Sequence, residues 1–91
     1  MALTGRHRRT LEAIFQDPIR ANVPWTDVER LLLALGAEVT EGRGSRVRVA
    51  LCGVRAVFHR LHPQKETGKG ALKSVWRFLR AARVQSEEGN A

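Results

Sequence analysis

Cysteine occurs once and tyrosine not at all in the 91 residues, and the only other aromatics are two tryptophans and three phenylalanines. A lone thiol, Cys52, makes no internal disulfide and has no companions for a structural zinc site. This excludes a disulfide scaffold and a zinc module, and no other metal or cofactor is indicated. Apolar runs all fall far short of the ~20 residues that span a bilayer. The start, MALTGRHRR, has no apolar segment of a secretory signal, so a cytoplasmic protein with no membrane partner is expected. Gly42-Arg43-Gly44 lacks the strand-to-helix context of a phosphate or dinucleotide loop. Ser45 has no recognisable His and Asp arrangement beside it, which leaves a hydrolase triad unsupported. The length suits one small domain, and 43% hydrophobic with 27% charged residues is the composition of an ordinary globular chain.

Acid is the other scarcity, and it is local. Residues 1–41 carry five Lys/Arg against six Asp/Glu, and residues 42–84 carry eleven against the single Glu66. The stretch GRGSRVRVALCGVRAVFHRLHP, residues 42–63, holds five arginines, two histidines and no acid. A block of one sign suits a polyanionic partner, because each neutralised phosphate releases condensed counterions. A solubilising basic face is the alternative.

Leu11, Ile14 and Phe15 share one face of a helix over residues 6–16, which Asp17-Pro18 stops. PWTDVERLLLALG reads as a second helix with Thr26 at the N-cap, Glu29 completing a capping box, and Gly36 as the stop. Val28, Leu31, Leu32 and Leu35 form its buried face. A weak alternation over 37–41 suggests a strand, followed by a turn at residues 42–45. Residues 71–84 return to helical spacing, with Leu72, Val75, Trp76, Leu79 and Ala82 as the apolar stripe and Lys73, Arg77 and Arg80 away from it. QSEEGNA, residues 85–91, reads as a disordered tail.

Between these lies a hairpin whose register is fixed by its own pattern. Centring the loop on Cys52-Gly53 pairs Leu51 with Val54, Val49 with Ala56 and Val47 with Phe58, so apolar meets apolar on one face. The same register pairs Ala50 with Arg55, Arg48 with Val57 and Arg46 with His59 on the other. A slip of one residue destroys the agreement. The expected fold is α+β, a three-stranded antiparallel sheet packed against helices, with an extra N-terminal helix.

At this point the residues resemble a known family. The helix from Thr26, the Gly44-Ser45 turn into the hairpin, His62-Pro63, and GKGALKSVWRFLRAARV are similar to HicA, the toxin of a bacterial type II toxin-antitoxin pair. The resemblance covers residues 26–84, leaving 1–25 as an N-terminal extension and 85–91 as a tail. It implies a double-stranded-RNA-binding-like fold, cleavage of mRNA, and neutralisation by a HicB-like antitoxin that covers the active face. Family members usually read Gly-Ser-His at the start of the hairpin strand, and that His is their catalytic residue. This chain reads Gly44-Ser45-Arg46, so the imidazole must be sought elsewhere.

Metal-free RNA cleavage needs a base for the ribose 2′-hydroxyl, an acid for the leaving 5′-oxygen, and positive charge on the phosphate. Histidine suits proton transfer near neutral pH, and arginine's planar fork suits phosphate. His59, across the ladder from Arg46, is the first catalytic candidate; a surface strand histidine is the plainer alternative. His62, held extended by Pro63, is the second; a turn former is its alternative. Arg46, Arg48 and Arg55 share the outer face with His59 as RNA-binding candidates, a cluster of one sign with no acid expected beside it. Lys73 and Arg77, one helical turn apart, extend the basic set. Trp25 and Trp76 read as core or staple residues rather than base-stacking platforms. Two other functions fit the same residues: a non-catalytic RNA- or DNA-binding module of the same fold, and a basic domain that binds an acidic protein.

Overall fold

The computed structural model describes residues 5–16, 23–59 and 66–84. The expected helix stop at Asp17-Pro18, His62-Pro63 and the tail at 85–91 lie outside the described residues. Among the described residues the order is α1 (Gly5–Phe15), β1 (Val23–Pro24), α2 (Trp25–Ala34), β2 (Glu38–Glu41), β3 (Arg46–Leu51), β4 (Val54–His59), β5 (Glu66–Thr67) and α3 (Lys69–Ala81). Strands β2, β3 and β4 form one antiparallel sheet in that order. The helices lie on one face of it, giving the expected α+β architecture. A second, two-residue ladder joins Val23 to Thr67 and Pro24 to Glu66. Two residues carry no periodicity, so nothing in the chain's patterning announces it.

Burial follows alternation in β3, where Val47, Val49 and Leu51 are buried while Arg46 and Arg48 are exposed. Phe58 of β4 joins the same core, and Val54 and Ala56 pack against it. The ring of Phe58 lies 5.9 Å from that of Trp25 in α2 and 5.8 Å, edge-on, from that of Phe78 in α3. These contacts place α2 and α3 on the inner face of the sheet. α1 adds Leu11 and Ile14 to the same core and touches both other helices.

The ends of the elements have local causes. Both central residues of the β3–β4 turn take positive φ, 52° at Cys52 and 80° at Gly53, as a type I′ hairpin requires. α2 closes as the sequence suggests: Gly36 sits at φ 94°. Its amide bonds to the Leu33 carbonyl, and that of Ala37 to Leu32, both at 3.0 Å. The start of α2 differs from expectation. The N-cap is Pro24, and the helix begins at Trp25 with no side-chain cap bond. Glu29 accepts instead from the Trp25 indole Nε1 at 2.7 Å. Trp25 is 2% exposed, and a buried indole N–H needs an acceptor.

α3 also starts earlier than expected, at Lys69 with Gly68 as N-cap. Its buried stripe is Leu72, Val75, Phe78 and Leu79, continued by Ala82 at the C-cap. Trp76, expected in that stripe, is only half-buried, and Arg80 stacks 5.0 Å above its ring. No helix among the described residues is long and apolar enough to cross a membrane.

Candidate nucleic-acid interface

The sheet's outer face is built by the side chains that alternation leaves over. Pairing sets them in rows across the three strands. One row is Glu38, Ala50 and Arg55. The next is Thr40, Arg48 and Val57. The last is Arg46 and His59, directly opposed in β3 and β4. Opposed residues have Cβ atoms about 5 Å apart, so guanidinium and imidazole project side by side. Arg46, Arg48, Arg55 and His59 are all exposed.

The β2–β3 turn gathers two of the arginines. Gly42 donates its amide to the Arg46 carbonyl at 2.8 Å. A Cβ at Gly42 would stand 3.3 Å from the Arg46 Cβ and 3.7 Å from the Arg48 Nε. The Arg48 side chain therefore leans along the sheet toward the Arg46–His59 row. The bare backbone of Gly42 relieves the tighter approach, that to the Arg46 Cβ. This end of the face concentrates positive charge beside an imidazole, the combination that phosphate binding with proton transfer requires.

The other end differs from expectation, because β2 contributes a carboxylate. Glu38 pairs with Ala50 and so stands on the arginine face. An open concavity there is lined by Glu38, Thr40, Arg48, Ala50, Arg55 and Val57. The signal was present in the weak alternation over 37–41. Carried across the turn into the β3 register, it puts Glu38 and Thr40 outward and Val39 inward.

Lys73 and Arg77 are exposed on α3, which packs against the inner face. The sheet thus separates them from the arginines, and His59 is joined by three of the five basic candidates. His62 lies outside the described residues. Trp25 is in the core, and the Trp76 ring is half-buried at the core's edge with Arg80 above it. Among the described residues no group of three or more His, Cys, Asp or Glu is placed to hold a metal ion.

Comparison with known proteins bears on what this face serves. No curated protein and no solved structure gives a significant match. The model of one family, described as the HicA toxin of bacterial toxin-antitoxin systems, matches residues 25–84. That span holds all three strands of the sheet, α2 and α3, and every residue of the outer face, while α1 lies before it. The double-stranded-RNA-binding-like architecture agrees with that family, and the chain belongs to it, as a toxin component of a toxin-antitoxin system.

Proposed function

We propose that the chain cleaves mRNA as a metal-independent endoribonuclease and that an antitoxin of the HicB type silences it by covering the outer sheet face. The observation that carries this reading is the opposition of Arg46 and His59 in the ladder. Arg46 follows Gly44-Ser45, where the family usually has its catalytic histidine. His59 supplies an imidazole to the same spot from the neighbouring strand.

The chemistry is a transesterification. A neutral imidazole takes the proton of a ribose 2′-hydroxyl as its oxygen attacks the adjacent phosphorus. The bond from phosphorus to the 5′-oxygen breaks, and a protonated imidazole delivers the proton that this oxygen needs. The products are a 2′,3′-cyclic phosphate and a 5′-hydroxyl. His59 and His62 are the two residues proposed for these transfers. Arg46 and Arg48 offset the phosphate charge as it grows at the non-bridging oxygens, and Arg55 extends the RNA-binding surface. Lys73 and Arg77, on the helix layer, reach only RNA that passes beyond the sheet. In this reading residues 26–84 are the toxin domain, 1–25 an extension and 85–91 a tail.

The test is incubation of the purified chain with structured and single-stranded RNA in the presence of a chelator. His59→Ala is expected to slow cleavage by about 10²- to 10⁴-fold, the worth of a positioned proton transfer. Undiminished cleavage by that variant removes His59 from the mechanism, and the same measurement on His62→Ala decides its part. Salt-sensitive binding without cleavage by the unaltered chain points to a non-catalytic nucleic-acid module. Negligible binding to any nucleic acid points to a protein-interaction domain.

A further inference from the structure

We propose that the Glu38–Ala50–Arg55 row is a guanine-binding subsite of the outer sheet face, a reading that rests on the RNA-cleaving function above. The starting point is a charge in an unfavourable place. Glu38 is exposed on the face that carries Arg46, Arg48 and Arg55. A carboxylate on a phosphate-binding surface repels the ligand unless it meets a hydrogen-bond donor, and in RNA the donors are on bases and ribose hydroxyls.

Its neighbours define the ligand. Ala50 separates Glu38 from Arg55 in the same row, so the two charged residues flank a small apolar floor about 10 Å apart, two strand spacings. Val57, 58% exposed, widens that floor, and the whole makes the open concavity. A flat aromatic base fits such a floor, with acceptors at one rim and donors at the other. Guanine alone among the four bases offers two adjacent N–H donors, N1 and N2, to a carboxylate. Its Hoogsteen edge, further round the ring, offers O6 and N7, the pair that arginine reads with its two parallel donors. Adenine and cytosine each turn a ring nitrogen acceptor toward the carboxylate beside their amino group. Uracil has one N–H between two carbonyls.

Position excludes a catalytic part for Glu38 beside His59. Their rows are four residues apart along the strands and the residues two strands apart across them. At about 3.4 Å per residue and 4.8 Å per strand, the separation is ~17 Å. One phosphodiester cannot touch both. Arg48, in the row between them, lines the concavity and brings its Nε close to Gly42 at the Arg46 end, so the two ends of the face divide the work: phosphate at His59, a base at Glu38.

The experiment measures fluorescence anisotropy of the full chain with short single-stranded RNAs that differ at one position, carrying guanine, inosine, adenine, cytosine or uracil there. A 2′-deoxy sugar at the cleaved position keeps them intact. Guanine should bind about tenfold tighter than adenine, cytosine or uracil, with inosine, which lacks the 2-amino group, in between. In Glu38→Gln the guanine preference should fall to within about twofold, since an amide presents one acceptor and one donor. Equal affinity for all five RNAs overturns the subsite and leaves the row to a protein partner. So does a Glu38→Gln chain that binds every RNA more tightly while keeping the guanine preference, because Glu38 would then act only by repelling phosphate. Failure to bind any RNA overturns the RNA-cleaving reading itself, and the subsite with it.

Discussion

Phe58 is a sheet side chain that meets both principal helices, and replacing it with leucine isolates what its ring contributes. The ring sits 5.9 Å from Trp25 at an interplanar angle of 56° and 5.8 Å from Phe78 at 88°. Aromatic pairs in such arrangements contribute ~0.5–1.5 kcal/mol each beyond the area they bury. Leucine keeps an apolar side chain in the site but forfeits both pairs, so the expected loss is ~1–3 kcal/mol. A 91-residue domain has a total stability of roughly 5–14 kcal/mol, so the variant should still fold. At about 4–8 °C per kcal/mol for a domain near this size, a loss of about 2 kcal/mol lowers Tm by ~8–16 °C. Urea unfolding followed by tryptophan fluorescence should show a lower midpoint with an unchanged slope. The RNA cleavage proposed above should persist well below the new Tm, because His59 projects from the other face and its pairing with Arg46 is kept. A loss below about 0.5 kcal/mol would refute the claim that these ring contacts tie the layers together.

Ile14, fully buried in α1, should cost ~2–5 kcal/mol when cut to alanine, read as the shift in urea midpoint. Thr67 is fully buried and its hydroxyl has no hydrogen-bond partner among the described residues. Thr67→Val keeps the β-branch opposite Val23 and should stabilise by about 1 kcal/mol, visible as a higher Tm; a loss of stability would show that the hydroxyl has a partner. Cys52 holds φ 52° at an exposed turn position, a conformation asparagine tolerates better. Cys52→Asn should therefore raise stability by ~0.5–1 kcal/mol in the same melts, and an unchanged or lower Tm would count against the turn assignment.

The hairpin was legible in the chain because only one register lets Val47, Val49 and Leu51 meet an apolar partner each, and that register is the one formed. It carried the site with it, since pairing Val47 with Phe58 leaves Arg46 and His59 no choice but to oppose. What escaped was information held between elements. Trp76 and Phe78 are both aromatic and two residues apart on α3, so they cannot both face the core. Phe78 lies one turn from Val75 and from Ala82, and the ring of Phe58 meets it there. Thr26 and Glu29 have the spacing of a capping box, but Pro24 takes the N-cap and the Trp25 indole takes Glu29. Glu38 was overlooked for a similar reason. Its strand is four residues long, and its outward face is defined only by pairing with β3.

The family span holds the whole sheet with α2 and α3 and leaves α1 outside it. Every residue of the outer face lies within 25–84, the span the family model matches. α1 lies before it, yet Leu11 and Ile14 are among the fully buried side chains of the core. The extension therefore completes the helix layer and leaves the outer sheet face untouched. Arg6, Arg8 and Arg9 are exposed on that helix, on the side of the sheet away from Arg48 and His59. The basic charge of the chain is accordingly divided between two surfaces, and the imidazole opposed to an arginine in the ladder, His59, is on the sheet face. Substitutions in α1 should move stability far more than cleavage at temperatures where the chain is folded. Those at Arg46, Arg48 or His59 should do the reverse, because exposed strand residues off the core shift stability by only about 0.5 kcal/mol.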